Sequence, residues 1–450
     1  MFYGTRITYG LENWQILKAE NGVCHLTIGG SWRLQEGAKK TGVTSADPSV
    51  RLAREEDNSY ITDWIKADHI DPERWETTLT VPRGGLYRLE TCLDAVSRET
   101  GEHWRFRGDI RSHIGCGEIF AIAGQSNAAG YGKGIAPDPP DMRVHVKRNS
   151  GRWDMASHPL NDATDAPDCP NAPMGQTGTS PFIAFGNRRS DGTGAPVGLL
   201  PCAQGGSPIS MWDPEQDGSL LKNMISKIKR AGGANAVLWY QGCADAQGEQ
   251  AKTYAKSFSN VVEATRKALG WDIPFYTFQL NKYYAPHDTD GWDRVRQAQR
   301  LAARDLKNVF ILPTADLFLS DEIHLSSASN VTLGGRLALQ MNEGISAPDM
   351  EKYERIGERQ ICLTFSNVQG ELMKTNANEP SEYIEVTDEL GSAAIETVAA
   401  DGNRLSITLN RPLKGSACVS YEKECMHGTG SLRDSLTLLP ALPFLNEEVT

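Results

Sequence analysis

A serine, a histidine and an aspartate in this sequence have the types and local context needed for acyl-transfer chemistry. Ser126 follows the apolar run 118–123 through Gly124 and Gln125, which predicts a strand-to-helix turn whose N–H groups favour developing negative charge. Among the nine histidines, only His324 has an aspartate, Asp321, three positions earlier. That spacing lets the carboxylate reach ring Nδ1–H, and a serine hydroxyl needs such a supported base. The alternative is that Ser126 and Asp321 only cap helices.

Two further loops are candidates for holding an oxyanion. Residues 203–208 (AQGGSP) and 239–245 (WYQGCAD) each follow an apolar run. A glycine in the first loop lets a backbone N–H approach a substrate closely. In the second loop, the amide of Gln241 is a suitable donor. Each loop, taken alone, is also compatible with an ordinary turn.

The elements that must position these residues alternate between strands and helices. We predict strands at 118–123, 143–147, 197–202, 236–241, 275–280 and 309–312, and helices at 220–230, 249–269, 292–306 and 328–342. Such alternation predicts an α/β region with a parallel sheet covered on both faces. Ligands bind at the carboxyl ends of such strands, where both Ser126 and His324 fall.

The flanks of this region have the shorter alternating runs of antiparallel strands. We therefore expect three domains: a β-rich, sandwich-like accessory domain over residues 1–113, an α/β catalytic domain over 114–350, and a second β-rich domain over 351–450. Neither the role of the first domain nor the oligomeric state is fixed by the sequence, and a homo-oligomer is left open.

Composition excludes several classes of protein. The 450 residues carry a net charge of −11 with no basic stripe, so nucleic acid is not an expected partner. The apolar runs are too short for a membrane helix. No signal peptide is visible, so we expect a cytoplasmic protein, or a secreted or periplasmic one if a signal was removed. The nine scattered cysteines predict reduced thiols, with a Cys418–Cys425 disulfide as the secreted alternative. No zinc spacing or HExxH motif occurs, and no cofactor is expected.

Four ordered blocks carry a family resemblance. They are GQSN at 124–127, GGSPI at 205–209, WYQG at 239–242 and DxxH at 321–324. In this order they resemble the SGNH-type carbohydrate O-acetylesterases, and within them the sialate O-acetylesterase-like group. The resemblance covers residues 115–345 well and 351–445 weakly. It implies an SGNH-hydrolase, flavodoxin-like, three-layer domain and a substrate that is an O-acetylated carbohydrate.

Carried onto this sequence, the resemblance makes Ser126 the nucleophile, His324 the base and Asp321 the orienting acid. It implies an oxyanion hole of the Ser126 N–H, a glycine N–H (Gly206 in preference to Gly205) and the Gln241 side chain. Aromatic side chains near the blocks are candidates for binding sugar faces. The expected substrate-binding residues are Gln125, Asn127, Trp212, Tyr240 and Gln279, with Trp153 as a further aromatic candidate.

The sequence departs from the family at Cys243, where Glu is common, and at Ala128, where Met is frequent. The function expected is a serine esterase that removes O-acetyl groups from a sialate or from acetylated xylan or mannan. A sialate pocket needs a convergent arginine, for which Arg152 and Arg188 are candidates. The alternatives are a non-catalytic carbohydrate-binding protein on an esterase scaffold and an O-acyltransferase with the same triad.

Overall fold

The structure is a computed structural model that describes residues 3–40, 42–43, 46–97, 99–162, 178–285, 288–375, 380–423 and 431–449. Cys169 and Cys425 lie outside these residues, and so does the predicted Cys418–Cys425 disulfide. Cys24, Cys92, Cys116, Cys243 and Cys362 are free thiols. No helix within the described ranges is long and apolar enough to cross a membrane.

The amino-terminal region is built from strands. They are β1 (Gly4–Tyr9), β2 (Ile16–Lys18), β3 (Val23–Arg33), β4 (Ala46–Arg54), β5 (Ile65–Lys66), β6 (Asp68–Asp71), β7 (Arg74–Pro82), β8 (Gly84–Val96) and β9 (His103–Gly124), with one short helix, α1 (Glu36–Lys40). Strands β1, β3, β7 and β6 form a four-stranded antiparallel sheet. Its side chains alternate between faces, and the inward ones, such as Trp75, Leu79 and Val81, form a core of their own.

Strand β9 joins this region to the next one. Its first part pairs with β8 in antiparallel register, and residues further along the same strand form parallel pairs with two later strands. Its burial changes accordingly, from partly exposed residues at the start to buried ones from Ile114 onwards. The predicted boundary at 113/114 therefore lies inside one continuous strand, and the division into three domains stays a prediction.

The middle region alternates strands and helices. Its strands are β10 (Val144–Lys147), β11 (Trp153–Met155), β12 (Val197–Pro201), β13 (Ala236–Tyr240), β14 (Phe275–Phe278) and β15 (Val309–Leu312). Its helices are α2 (Ser126–Ala129), α3 (Phe182–Thr193), α4 (Ser219–Arg230), α5 (Gly248–Leu269), α6 (Thr289–Asp305) and α7 (Ser327–Glu343). The six predicted strands and four predicted helices are all found, with small shifts at their ends.

Helix α3 was not predicted. Its sequence, FIAFGNRRSDGT, contains two glycines and lacks a strong helical period, so local propensity argues against a helix. The reason for one glycine is packing: a Cβ on Gly186 would lie 2.6 Å from Val144 Cγ1 on β10. Tertiary contact with the sheet thus outweighs propensity here.

The central sheet is mixed and larger than expected. Parallel pairs run in the order β10-β12-β9-β13-β14-β15, and β11 adds an antiparallel edge. Because β9 continues into the amino-terminal region, β2, β4, β5 and β8 join the same eleven-stranded sheet. The sequence could not reveal this continuity, since its periodicity changes within β9. The three-layer, flavodoxin-like arrangement stays a prediction.

The carboxyl-terminal region is again made of strands. They are β16 (Asp349–Gly357), β17 (Gln360–Ser366), β18 (Leu372–Lys374), β19 (Ile384–Asp388), β20 (Gly391–Ser392), β21 (Ile395–Asp401), β22 (Arg404–Leu409), β23 (Ala417–Tyr421), β24 (Leu432–Asp434) and β25 (Phe444–Val449). Two four-stranded antiparallel sheets share one apolar core. Arg300 on α6, fully buried, bonds Asp349 and Glu447 at 2.5 Å each and so attaches this region to the middle one.

Candidate active site

Ser126 stands at a turn that its neighbouring glycine makes possible. Strand β9 ends at Gly124, which has a φ of +122°, and a Cβ there would lie 2.2 Å from the carbonyl oxygen of Tyr240. Only glycine therefore allows the chain to turn so close to β13. The short helix α2 begins at Ser126, so the serine lies at the carboxyl edge of the sheet, as predicted.

The structure brings Ser126, His324 and Asp321 into one hydrogen-bonded row. His324 Nε2 lies 2.9 Å from Ser126 Oγ, and His324 Nδ1 lies 2.9 Å from Asp321 Oδ2. A carboxylate can only accept, so Nδ1 carries the ring proton and Nε2 is left to accept from the serine hydroxyl. This is the geometry that general-base activation of a serine requires.

Asp321 is held as an anion by the turn around it. Its Oδ1 accepts hydrogen bonds from the N–H groups of Ile323 (3.0 Å) and His324 (2.8 Å). Burial by itself would raise the pKa of Asp321, but the bonds from the His324 ring, from these two N–H groups and from Lys133 outweigh it and lower the pKa well below its usual range. The ionised carboxylate can therefore support a positive charge on the imidazole.

Lys133 was not anticipated in the sequence. Its Nζ lies 3.0 Å from Asp321 Oδ2, the same oxygen that accepts from His324, while 68% of its side chain remains exposed. The lysine follows Ser126 by seven positions, with no spacing signal that points to Asp321. Its backbone N–H donates to Ser320 Oγ at 3.2 Å, which fixes its loop against the segment carrying His324.

Tyr131 is a second residue that the sequence did not reveal. Its ring stacks on His324, with 5.3 Å between centroids and 30° between planes. Its buried hydroxyl has no hydrogen-bond partner among the described residues. A Cβ atom added to Gly205 would lie 2.4 Å from this hydroxyl oxygen, so the ring fills the space of a side chain there. Burial raises the pKa of Tyr131, which keeps the phenol protonated. The ring therefore packs between the histidine and the glycine loop.

The glycine loop offers an open backbone donor at Gly206. The residue has a φ of +70°, and no atom of the described residues lies within 4 Å of a Cβ position. In the described part of the chain, neither its N–H nor that of Ser126 is bonded to an acceptor. Gly205, in contrast, is buried beneath Tyr131. The geometry is compatible with the predicted preference for Gly206 over Gly205.

Gln241 is engaged elsewhere. Its Nε2 donates to Asp245 Oδ2 at 2.5 Å and to the carbonyl of Ser207 at 3.2 Å, and the side chain is fully buried. An amide nitrogen has two hydrogens, so both are used. Donation from Gln241 to an oxyanion would require one of these bonds to break. In this arrangement Gln241 joins the two loops.

Asp245 is the anchor of this buried network, and the sequence did not point to it. Besides Gln241, it accepts the N–H of Ile209 at 2.9 and 3.1 Å to its two oxygens. Burial raises the pKa of Asp245 to about 6, against the lowering effect of these bonds. The carboxyl therefore fastens the end of the glycine loop to the loop after β13.

Two residues beside Ser126 are structural, which corrects their predicted role in substrate binding. Gln125 Oε1 accepts from the N–H groups of Gly242 (3.0 Å) and Ala244 (3.2 Å). Asn127 donates to the carbonyl of Ile323 and accepts from the N–H of Leu325, at 3.2 and 3.1 Å. Both side chains are buried, and each clamps one of the loops that meet at Ser126.

The aromatic candidates are in the core, which is a second correction. Trp212 is 0% exposed, and its Nε1 donates to Ser207 Oγ at 3.2 Å beneath the glycine loop. Tyr240 packs on Phe278 with 5.1 Å between ring centroids. Trp153 is also buried. Residue type alone did not distinguish a ring that supports the loop from one that faces a ligand.

Gln279 also turns away from a substrate. Its Nε2 donates to the carbonyls of Pro443 (2.9 Å) and Arg296 (3.3 Å), and the residue is buried. It therefore attaches the carboxyl-terminal segment to the end of β14, in place of its predicted contact with substrate.

Cys243 is not a competing nucleophile. It stands where a glutamate was expected from the family pattern, and burial raises the pKa of its thiol to about 12. A thiol protonated at neutral pH is a poor nucleophile. The described residues contain no group of three or more His, Cys, Asp or Glu placed to hold a metal ion.

The row of Ser126, His324 and Asp321 is the arrangement of a serine hydrolase. The model of the family described as carbohydrate esterase, sialic acid-specific acetylesterase, matches residues 116–343, about half of the chain. The chain belongs to this family of carbohydrate esterases.

Two relatives extend the comparison. A probable carbohydrate esterase of Arabidopsis thaliana is 31% identical over 254 residues, which cover 51% of this chain and 92% of that protein. The crystal structure of a carbohydrate acetylesterase from Xanthomonas citri has a TM-score of 0.67 at 18% identity, with 98% of this chain and 99% of that chain covered. This second likeness extends the shared fold over the β-rich flanks.

Proposed function

We propose that this protein is a serine esterase that removes O-acetyl groups from a carbohydrate through an acetyl-enzyme on Ser126. The observation that carries the proposal is the hydrogen-bonded row in which His324 lies 2.9 Å from both Ser126 Oγ and Asp321 Oδ2. Membership of the carbohydrate esterase family supports ester hydrolysis. A sialate and acetylated xylan or mannan are the candidate substrate classes.

The first half of the reaction transfers the acetyl group to the enzyme. His324 Nε2 takes the hydroxyl proton as Ser126 Oγ forms a bond to the acetyl carbonyl carbon. The N–H groups of Ser126 and Gly206 donate to the oxyanion of the tetrahedral intermediate. The bond from that carbon to the sugar oxygen then breaks, and His324 returns the proton to the departing sugar hydroxyl.

The second half hydrolyses the acetyl-enzyme. His324 takes a proton from water, whose oxygen bonds to the acetyl carbon, and the same N–H groups again hold the oxyanion. The bond to Ser126 Oγ breaks, the serine regains its proton, and acetate leaves. Asp321 stays ionised throughout and stabilises the imidazolium in both halves.

The test compares acetate release by the wild type and Ser126→Ala. The substrates are 4-nitrophenyl acetate, an O-acetylated sialic acid, and acetylated xylo- and manno-oligosaccharides. We expect Ser126→Ala to reduce turnover by several orders of magnitude with an unchanged unfolding curve. The matched control is Ser259→Ala on α5, which should retain full activity. Among the described residues, the Ser259 hydroxyl bonds only Glu263.

Two results would overturn the proposal. More than about 1% activity in Ser126→Ala would exclude Ser126 as the nucleophile. A folded wild type that binds these glycans and releases no acetate from any substrate would favour the carbohydrate-binding alternative. In that case the change at Cys243 is the first to reverse, with Cys243→Glu.

A further inference from the structure

Three large apolar side chains are exposed around the loop that carries His324. They are Ile135, Tyr284 and Phe318, which we call the apolar rim, and they are 95%, 49% and 73% exposed. Exposed aromatic rings grouped beside a catalytic residue need a reason, since a grouped apolar surface usually marks a binding site. The aromatic residues expected to hold sugar are instead buried, as described above.

Phe318 lies in a segment that pairs with the segment carrying His324. Leu319 and Leu325 form an antiparallel bridge, and the N–H of Ser320 donates to the carbonyl of His324 at 2.7 Å. Ser320 therefore faces His324 across this bridge, and Phe318 is two residues before Ser320. Diagonal neighbours in such a pair are about 7–8 Å apart, which is within reach of the sugar unit next to an acetylated one.

The other two members of the apolar rim flank this hairpin. The N–H of Tyr284 donates to the carbonyl of Glu322 at 3.0 Å, between Asp321 and His324 in sequence. Ile135 follows a loop whose carbonyls at Lys133 and Gly134 both accept from Ser327 Oγ at 2.9 Å. Three separate segments thus place an apolar side chain at the same loop.

The backbone of Phe318 is held in place although its ring is exposed. Its N–H donates to Ser329 Oγ at 2.9 Å, and its carbonyl accepts from the N–H of Ser326 at 2.9 Å. The Lys282 ammonium lies 5.9 Å from the centre of the ring, within the range of a cation–π contact. A ring carried on a fixed backbone loses less conformational freedom when a ligand binds than a ring on a mobile loop.

The segments of the apolar rim carry no excess of one charge. They contain two lysines, Lys133 and Lys282, and two acidic residues, Asp321 and Glu322, and Lys133 pairs with Asp321 at 3.0 Å. In the part of the chain that the structure describes, no arginine bonds to residues 131–135 or 318–326. A sugar carboxylate would lack the bidentate partner that recognises it best, whereas the C–H face of a neutral pyranose is suited to an aromatic ring.

We propose that the apolar rim is a subsite that binds a neutral sugar next to the acetylated one, so that the substrate is an acetylated neutral oligosaccharide chain. This inference rests on the proposed esterase function. Phe318 and Tyr284 stack on the neighbouring sugar and hold the chain, while Ser126 attacks the acetyl group. Neither ring takes part in the chemical step.

The experiment measures kcat and KM of the wild type, Phe318→Ala and Tyr284→Ala on acetylated xylo-oligosaccharides and on 4-nitrophenyl acetate. We expect each variant to lower kcat/KM on the oligosaccharide by about tenfold, the loss expected for one apolar contact face, mainly through KM. Hydrolysis of 4-nitrophenyl acetate should not change, because it has no second sugar. Phe318→Trp should restore activity on the oligosaccharide.

Trp271→Ala is the matched control. Trp271 is also an exposed aromatic residue, but it precedes β14 and so lies at the opposite edge of the sheet, and its variant should behave as the wild type. The inference is overturned if Phe318→Ala lowers activity on both substrates equally, if it changes neither, or if the wild type cleaves only O-acetylated sialic acid. Loss of the proposed function itself would be seen separately, as Ser126-independent hydrolysis of 4-nitrophenyl acetate.

Discussion

On one side of Ser126, Asp321 lies in a hairpin that is partly open to solvent, whereas on the other side Asp245 is buried with Gln125 and Gln241. Hydrogen bonds and Lys133 lower the pKa of Asp321, while burial raises the pKa of Asp245 to about 6. Both carboxyl groups accept bonds from backbone N–H groups. Asp321 also accepts from an ionisable ring and an ammonium group, whereas Asp245 also accepts from the amide of Gln241. We call these two regions the histidine side and the loop side.

The two sides have different roles: the histidine side takes part in the chemistry, and the loop side positions a group that does. The histidine side keeps a charge that stabilises the imidazolium during the reaction. The loop side has no group that touches Ser126 Oγ in the described structure; its amides and carboxyl group fasten the glycine loop, so that the N–H of Gly206 has a fixed place. Changes on the first side should therefore alter turnover with little effect on stability, and changes on the second should reduce both stability and turnover.

Asp321→Asn tests the histidine side and should have the largest effect. The asparagine NH₂ can face His324 Nδ1, which then accepts, so that Nε2 carries the proton and cannot take one from Ser126. We expect kcat to fall on the order of 10⁴-fold with KM similar. The measurement is steady-state kinetics on 4-nitrophenyl acetate together with urea unfolding, whose midpoint should change little. A fall in kcat of less than tenfold would mean that another acceptor orients His324.

Asp245→Asn tests the loop side. The substitution replaces one carboxylate oxygen with an NH₂ group, which then faces the N–H of Ile209 or Nε2 of Gln241. These buried donors are left without an acceptor. We expect a loss of about 1–3 kcal/mol in unfolding free energy and a fall in kcat of up to about 10²-fold through displacement of the glycine loop. Unfolding in urea and steady-state kinetics measure the two effects on one preparation. Unchanged stability with reduced kcat would place Asp245 in the chemistry.

The raised pKa of Asp245 also predicts how the stability difference between the wild type and Asp245→Asn changes with pH. The pKa of Asp245 is raised to about 6 in the folded state, above about 3.9 for an unfolded aspartate. Its contribution to stability is therefore full below the unfolded pKa and is lost as pH rises through about 6. The wild type should gain stability over Asp245→Asn as pH falls from about 7.5 to about 5.

Asp434→Asn is the matched control. Asp434 is buried in the carboxyl-terminal region, and the N–H groups of Gln369, Gly370, Leu436 and Thr437 donate to it. Although burial opposes the shift, these bonds lower its pKa. Its contribution is present above the unfolded pKa and is lost as pH falls through the folded one, so the pH trend should have the opposite sign. The kcat of this variant should equal that of the wild type.

The residues of the histidine side could be predicted from the sequence, because short local patterns reveal them. A serine directly after a buried strand, and an aspartate three positions before a histidine, are visible without any knowledge of packing. The strands themselves followed from apolar runs separated by amphipathic segments. The rule that ligands bind at the carboxyl ends of parallel strands then placed Ser126 and His324 together.

The contacts of the loop side could not be predicted from the sequence, because they depend on the direction in which each side chain points. Gln241 was expected to donate to an oxyanion, but an amide can bond equally well to a buried carboxylate, and Asp245 lies 2.5 Å away. Trp212 was expected in the pocket, but the same ring fits beneath the glycine loop. Tyr131 and Lys133 reach their partners only through the packing of a loop with no regular period.

Lys133→Met tests how the charge beside Asp321 affects the histidine side, and it should have the smallest effect of these substitutions. The ammonium group shares Asp321 Oδ2 with His324 at 3.0 Å, so its removal leaves that oxygen to the imidazolium alone. An ion pair this exposed contributes at most about 1 kcal/mol, so we expect kcat on 4-nitrophenyl acetate to rise by at most about fivefold at low salt. Because salt screens the lysine, the wild type should approach the variant between about 0.01 and 1 M. Lys252→Met, which removes a similarly exposed pair with Glu249 on α5, should show no such trend. If Lys133→Met instead lowers kcat more than tenfold, the lysine belongs to the machinery of the histidine side, and Asp321 needs it to hold His324.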